Sequence, residues 1–420
     1  MGLDAQAFSR VFPKSRSQQL NGREALERIA ESAAGWAERQ GLGPCLESRM
    51  TSDRTLVVEP LPVVDGIQFD LTDRGIAVGF RSSNGGPGFH AAVIDMLDHM
   101  QRELGLDWSW IGSDGTCLDE TGYALSRDFS ALQGSMAEFL KALSRMVEKS
   151  GPDGQALCVP LGYLGEGGQI ACPLGFQQPD RLRRLCDADE ADLHAAASTF
   201  FIWWERPLDA RQWEQLLRAQ LWQVADWRRP VCAADLTVQR RIEHSARMAT
   251  ANDRAVATDL AAALDELRRL QASGEAPAET GIGYRRRLIK HRLYQSWSMS
   301  LPGWLVFNSN DGHATFEHDS LWLGTQSMTI ALKPGVEVNW SALYGGYAGP
   351  SRELRPGVFC RKSALQLQQD GPGHVQTALV MTAQSGGLEL LLLTLSSHLS
   401  APFDAFDSWI ATIVAHDNTA

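Results

Sequence analysis

One stretch constrains this chain more than any other: Gly75-Ile76-Ala77-Val78-Gly79-Phe80, then Gly85-Gly86-Pro87-Gly88-Phe89-His90, then an amphipathic segment. The first run asks for a strand and the glycines with proline for a tight turn. Phe89, Val93, Met96, Leu97, Met100 and Leu104 recur at helical spacing and ask for a helix with one buried side. His90 falls where that helix opens. The first N–H groups of a helix have no partner within it, so Gly86, Gly88 and His90 are candidate anion contacts, with His90 the candidate base. The same residues could equally make a turn that packs. On the helix's outer side, Asp95 and His99 stand four apart and make a surface pair.

No complete catalytic or cofactor motif accompanies this turn. Gly-x-Ser-x-Gly, the glycine-rich Walker loop and His-Glu-x-x-His are all absent, which weakens common hydrolase, nucleotidase and metalloprotease readings. The seven cysteines are odd in number and scattered, without a Cys-x-x-Cys pair, and read as reduced thiols. His313, Glu317 and His318 are no better as metal ligands, because on a strand 313 and 317 share a face from which 318 points away. Neither a cofactor nor a metal is expected.

Length bounds the architecture: 420 residues with 44% apolar and 21% charged content suit a globular protein with two or three cores. No apolar run is long enough to span a bilayer, and Met1 to Arg16 lacks the apolar core of a signal peptide. The expectation is a cytoplasmic protein without lipid anchor. The net charge of −11 is uneven, with 19 Lys/Arg against 16 Asp/Glu from Arg181 to Arg292 and acidic segments on either side. A nucleic-acid binder shows a dominant basic footprint, which this chain lacks.

The pattern predicts an α+β fold in three parts. Residues 1–178 form an α+β domain with a mixed sheet: a helix over Arg23–Gln40, strands at Thr55–Pro60, Ile67–Leu71 and Gly75–Phe80, the His90 helix, and a helix over Ser130–Lys149. A strand pair at Ala156–Leu161 and Gln169–Leu174 surrounds Gly165-Glu166-Gly167-Gly168. Residues 179–295 form a helical region, in which Leu193, Ala197, Phe200, Phe201 and Trp204 recur at helical spacing, as do Trp213, Leu217, Leu221, Val224 and Trp227; one long helix starts at Asp235. Residues 296–420 form an antiparallel domain with strands at Trp304–Phe307, Ala314–His318, Met328–Leu332, Ala364–Gln368, Val375–Thr382 and Leu388–Leu395, closed by a helix over Phe403–Val414.

Two resemblances follow from these residues. Ser300-Leu301-Pro302-Gly303-Trp304 with the strands and closing helix looks like the PsbP-like α/β sandwich over the last 120 residues or so. Gly86-Pro87-Gly88-Phe89-His90, Cys172-Pro173-Leu174-Gly175, Phe201-Ile202-Trp203-Trp204, Leu221-Trp222-Gln223-Val224 and Trp227-Arg228-Arg229-Pro230 resemble a group of uncharacterised bacterial proteins over roughly 55–235. That second resemblance implies no activity.

Candidate partner contacts are the basic cluster Arg285, Arg286, Arg287, Lys290 and Arg292, bracketed by Tyr284 and Tyr294, and Trp222, which lies off its helix's apolar stripe four residues after Arg218. The plainer alternatives are a solvated basic face and a core tryptophan. The preferred expectation is a non-enzymatic bacterial protein-binding or regulatory protein, such as a toxin-neutralising (immunity) or defence-system component with a basic protein partner. The alternative is an enzyme acting on a phosphorylated or nucleotide-like ligand at the Gly86–His90 turn. A third reading, a subunit of a larger assembly, predicts exposed aromatic surface.

Overall fold

A computed structural model describes residues 3–9, 22–149, 156–159, 168–251, 254–273, 277–278, 280–294, 296–310, 313–318, 321–331, 351–367, 373–384, 387–399 and 401–416. Gly165-Glu166-Gly167 and Leu332 lie outside them. The fold is α+β and divides into two compact units, Met1–Tyr284 and Arg285–Ala420.

The first unit is built on a five-stranded sheet in the order β1-β5-β4-β3-β2. Its strands are β1 (Asp4–Ser9), β2 (Glu47–Ser52), β3 (Thr55–Glu59), β4 (Ile67–Thr72) and β5 (Gly75–Arg81). Every pairing is antiparallel, where a mixed sheet was expected. Alternation sends Leu56, Val58, Ile67, Phe69, Ile76 and Val78 into the core. They pack with α1 (Gly22–Arg39) and α2 (Pro87–Leu104), whose buried sides carry Leu26, Ile29 and Ala33, and Val93, Leu97 and Met100. Then come α3 (Tyr123–Ser126), α4 (Phe129–Lys149), the hairpin β6 (Ile170–Cys172) and β7 (Gly175–Gln177), α5 (Pro179–Arg183), α6 (Glu190–Phe200), α7 (Ala210–Gln223), α8 (Ala233–Ala249) and α9 (Thr258–Ser273).

The boundary expected near residue 178 is not a boundary in the core. Leu193, Ala197, Phe201, Trp203, Trp213 and Leu216 belong to the same cluster as the sheet. Two helices stand where one long helix from Asp235 was expected, because α8 ends at Ala249 and α9 begins at Thr258. The helical spacing through Phe201 and Trp204 also misleads: α6 stops at Phe200, and Phe201, Ile202, Trp203 and Trp204 are buried outside the helix.

The second unit holds an eight-stranded antiparallel sheet, β10-β11-β12-β17-β16-β14-β13 with β15 on β16, and a three-stranded sheet β18-β9-β8. The strands are β8 (Leu288–Leu293), β9 (Trp297–Pro302), β10 (Val306–Asn310), β11 (His313–His318), β12 (Leu321–Ala331), β13 (Arg352–Arg355), β14 (Val358–Lys362), β15 (Gln366–Leu367), β16 (His374–Gln384), β17 (Gly387–Ser397) and β18 (Val414–Ala415). The helix α10 (Ala401–Ile410) contributes Phe406, Trp409 and Ile410 to a core shared with Trp297, Leu301, Phe316, Leu323, Val380, Leu391 and Leu393. The strand expected from Met328 forms the end of β12, where Met328 is exposed.

Candidate functional site

The turn between β5 and α2 is shaped by its glycines. Gly86 takes φ +94°, which a side chain disfavours, and Pro87 opens the helix where its missing N–H costs nothing. The residues that follow α6 then close over it. The Trp203 amide donates to the Gly85 carbonyl at 2.9 Å, and the Gly88 amide donates to the Trp203 carbonyl at 2.8 Å. A Cβ at Gly88 would come within 2.2 Å of the Trp203 ring. The Gly88 N–H expected to face an anion therefore already has a partner, and the structure supports the packing alternative for Gly86 and Gly88.

His90 is fully buried rather than presented to solvent. Its Nδ1 lies 2.9 Å from Ser82 Oγ, and its Nε2 lies 3.3 Å from Asp119 Oδ2. Asp119 also accepts from the Thr121 amide and hydroxyl and from the Ala124 amide, at 2.9, 2.7 and 2.8 Å. Burial pushes the Asp119 carboxyl up, but hydrogen bonding and charge from His90, with the Ala124 and Thr121 donors, outweigh that and bring it down to about 2. An ionised Asp119 accepts from Nε2–H, and Nδ1 shares a hydrogen bond with the Ser82 hydroxyl. Phe80 at 5.2 Å and the edge of Tyr123 at 6.0 Å complete the enclosure.

The order Ser82, His90, Asp119 is that of a nucleophile, a base and its orienting carboxylate. All three are buried, at 0%, 0% and 1% exposure, so the constellation joins the end of β5 to the 119–124 segment from inside. Beside it the buried Tyr123 accepts through its hydroxyl from Arg206 at 2.6 Å, and Arg206 also pairs with Asp95 at the surface. Sequence reading found His90 but missed Ser82 and Asp119. Asp119-x-Thr121, an Asp capping the amide two residues on, was the local signal available.

Trp222 is a core residue, not an exposed anchor. Its Nε1 donates to the Cys172 carbonyl at 2.8 Å, and it packs edge-on to Phe176 and Tyr284. Arg218 is paired with Asp259 rather than stacked on it. Gln223 donates to Pro173. The segments that carry the bacterial resemblance thus meet one another: Gly85–Gly88 with Trp203, and Cys172-Pro173 with Trp222-Gln223. Their shared feature is packing.

The basic cluster is divided. Arg285 and Arg286 are buried and Arg287 is half-buried, its carbonyl accepting from Gly303. Only Lys290 and Arg292 are exposed, alternating along β8 with buried Ile289, His291 and Leu293. The bracketing aromatics do not form a stacking platform, since Tyr284 is buried and Tyr294 donates its hydroxyl to the Thr325 carbonyl at 2.7 Å.

Comparison with known proteins adds little to this geometry. No family model and no curated protein match the chain. A solved structure from Bacteroides thetaiotaomicron is 12% identical with a TM-score of 0.24, over 30% of this chain and 46% of that one. The matched stretch thus spans under half of that neighbour, and the likeness defines neither family nor fold. With no family match, the PsbP-like expectation rests on pattern alone. No helix among the described residues is long and apolar enough to cross a membrane.

Proposed function

We propose that the chain is a non-enzymatic bacterial protein-binding or regulatory protein with a basic protein partner, in the manner of a toxin-neutralising or defence-system component. The observation that carries this reading is the separation of charge. Residues 1–284 hold 29 Lys and Arg against 40 Asp and Glu, a net of −11, whereas residues 285–420 hold 10 against 10. A one-signed field on one unit speeds encounter with an oppositely charged protein and disfavours like-charged ones. Exposed Asp187, Glu190 and Asp192 around the start of α6 contribute to that field.

The test is quantitative capture at native expression, followed by titration of the purified partner against salt. A stoichiometric basic protein whose affinity falls with ionic strength, and falls further with the triple variant Asp187→Asn, Glu190→Gln, Asp192→Asn, supports the reading. A partner that binds independently of salt and of these carboxylates overturns it. The enzyme alternative draws support from the order Ser82, His90, Asp119, but it requires Trp203 to leave the turn. A bound phosphorylated metabolite, turned over by the native chain and not by a folded His90→Asn variant, would put that alternative first.

A further inference from the structure

The second unit contains a groove of about 500 Å³ lined by Val306, Asn308, Glu317, His318, Leu321, Trp322, Ser396, Ser397 and His398. Strand register explains why Val306, Glu317, Trp322 and Ser396 meet. Val306 pairs with Glu317, Glu317 with Trp322, and Trp322 with Ser396, so one rung across four antiparallel strands carries all four side chains on one face. The next rung on that face is small and polar: Asn308, Thr315, Gly324 and Thr394.

Trp322 is the centre of this arrangement. Its benzo edge lies where a Cβ of Gly324 would be, within 2.2 Å of Cη2, so the indole leans along the strand over the glycine. It nevertheless remains 40% exposed. An aromatic surface seated on a sheet, with a carboxylate directly across the strand pair and amide, hydroxyl and imidazole groups around it, offers one apolar face and many lateral hydrogen-bonding groups.

That chemistry selects among ligand classes. A phosphate or other anion calls for Lys or Arg, and neither is among the described lining residues. An organic cation would find the indole and Glu317, but no second carboxylate is among the described lining residues. A pyranose matches both halves of the groove, since its C–H face is apolar and its hydroxyls lie around the edge. The volume falls in the usual range for small-ligand sites, about 300–1,000 Å³. We propose that this groove binds a neutral saccharide, with one sugar ring stacked on Trp322 and hydroxyls held by Glu317, Asn308 and His398. The proposal is independent of the charge-based reading of the first unit.

Saturation-transfer NMR on the full chain, with a panel of neutral disaccharides (maltose, cellobiose, xylobiose, chitobiose) and tetramethylammonium as the cationic probe, tests it. The expected result is transfer to the C–H protons of at least one disaccharide, weakened roughly tenfold or more in affinity by Trp322→Ala. Glu317→Gln, at an exposed position, keeps the test valid if Trp322→Ala fails to fold; it should weaken the same sugar while leaving circular dichroism unchanged. No transfer from any sugar, transfer that survives both substitutions, or saturable binding of tetramethylammonium alone would each overturn the proposal.

Discussion

Both units bury a histidine, and they do so in opposite ways. In the first, His90 has Ser82 on one ring nitrogen and Asp119 on the other. In the second, His291 is 4% exposed, stacks on Phe307 at 5.8 Å and meets Phe316 edge-on at 4.8 Å, and neither ring nitrogen has a hydrogen-bond partner. Burial without a partner pushes His291 down to about 4. The contrast teaches that a buried imidazole can act as a polar crosslink or as an aromatic filler. The first ties distant segments together, and the second makes its unit sensitive to mild acid.

Removing the carboxylate should break the comparison most sharply. Asp119→Ala leaves His90 and the donors from Thr121 and Ala124 without their acceptor. It should cost the first unit roughly 3–5 kcal/mol, in line with a buried pair that loses one partner. Denaturant unfolding followed separately in the two units would show the first transition shift and the second stay; equal shifts would refute the assignment. Because the folded Asp119 value lies below the ordinary 3.8, its stabilisation is complete above 3.8 and is lost as pH falls toward 2.

The acid response of the second unit lies in a different window. The folded His291 value is below the unfolded 6.5, so the unfolded chain takes up a proton that the folded one refuses. Stability is therefore whole above 6.5 and declines as pH drops to 4, by roughly 3 kcal/mol over that span. Thermal unfolding of the second unit at stepped pH should show this decline, and His291→Phe should flatten it. A decline of the same size in the Phe variant would assign it to another group.

The two histidines also differ in how far sequence could reach them. His90 was placed correctly at the start of α2, because the glycines, proline and helical spacing that put it there are local. Its burial was not legible, since Asp119 and Trp203 reach it from remote segments. Trp203 shows the competition directly: helical spacing through Trp204 ran the expected helix past it, but backbone bonds to Gly85 and Gly88 hold it outside α6. For the same reason β3, β4 and β5, with clean alternation and short turns, match expectation, whereas β1, with only Ala5, Ala7 and Phe8 to mark it, gained its strand from pairing with β5. In the second unit, Arg292 and Lys290 stood out as charges while His291 between them passed unnoticed. Glu317, Trp322 and Ser396 join one rung only through register.

Smaller effects sharpen the contrast around His90. Gly88→Ala would drive a methyl group against the Trp203 indole, and overpacking of this kind costs about 1–3 kcal/mol. If Trp203 were free to move aside, denaturant midpoints would not change, and the turn would be open to a ligand after all.

Ser82→Ala is the mildest change and the most direct, because it makes His90 resemble His291 on one side. It removes the hydroxyl at Nδ1 and leaves a buried ring nitrogen without its partner, while Asp119 still holds Nε2. The expected cost is about 1–2 kcal/mol, set by the orphaned nitrogen rather than by the lost bond. Nitrogen-detected NMR of the imidazole tests the mechanism independently of stability. Nε2 should keep its proton and its bond to the carboxylate in both proteins, and only the Nδ1 shift should move. If Nε2 loses its proton in the variant, Ser82 rather than Asp119 sets the tautomer, and His90 is held from the strand side.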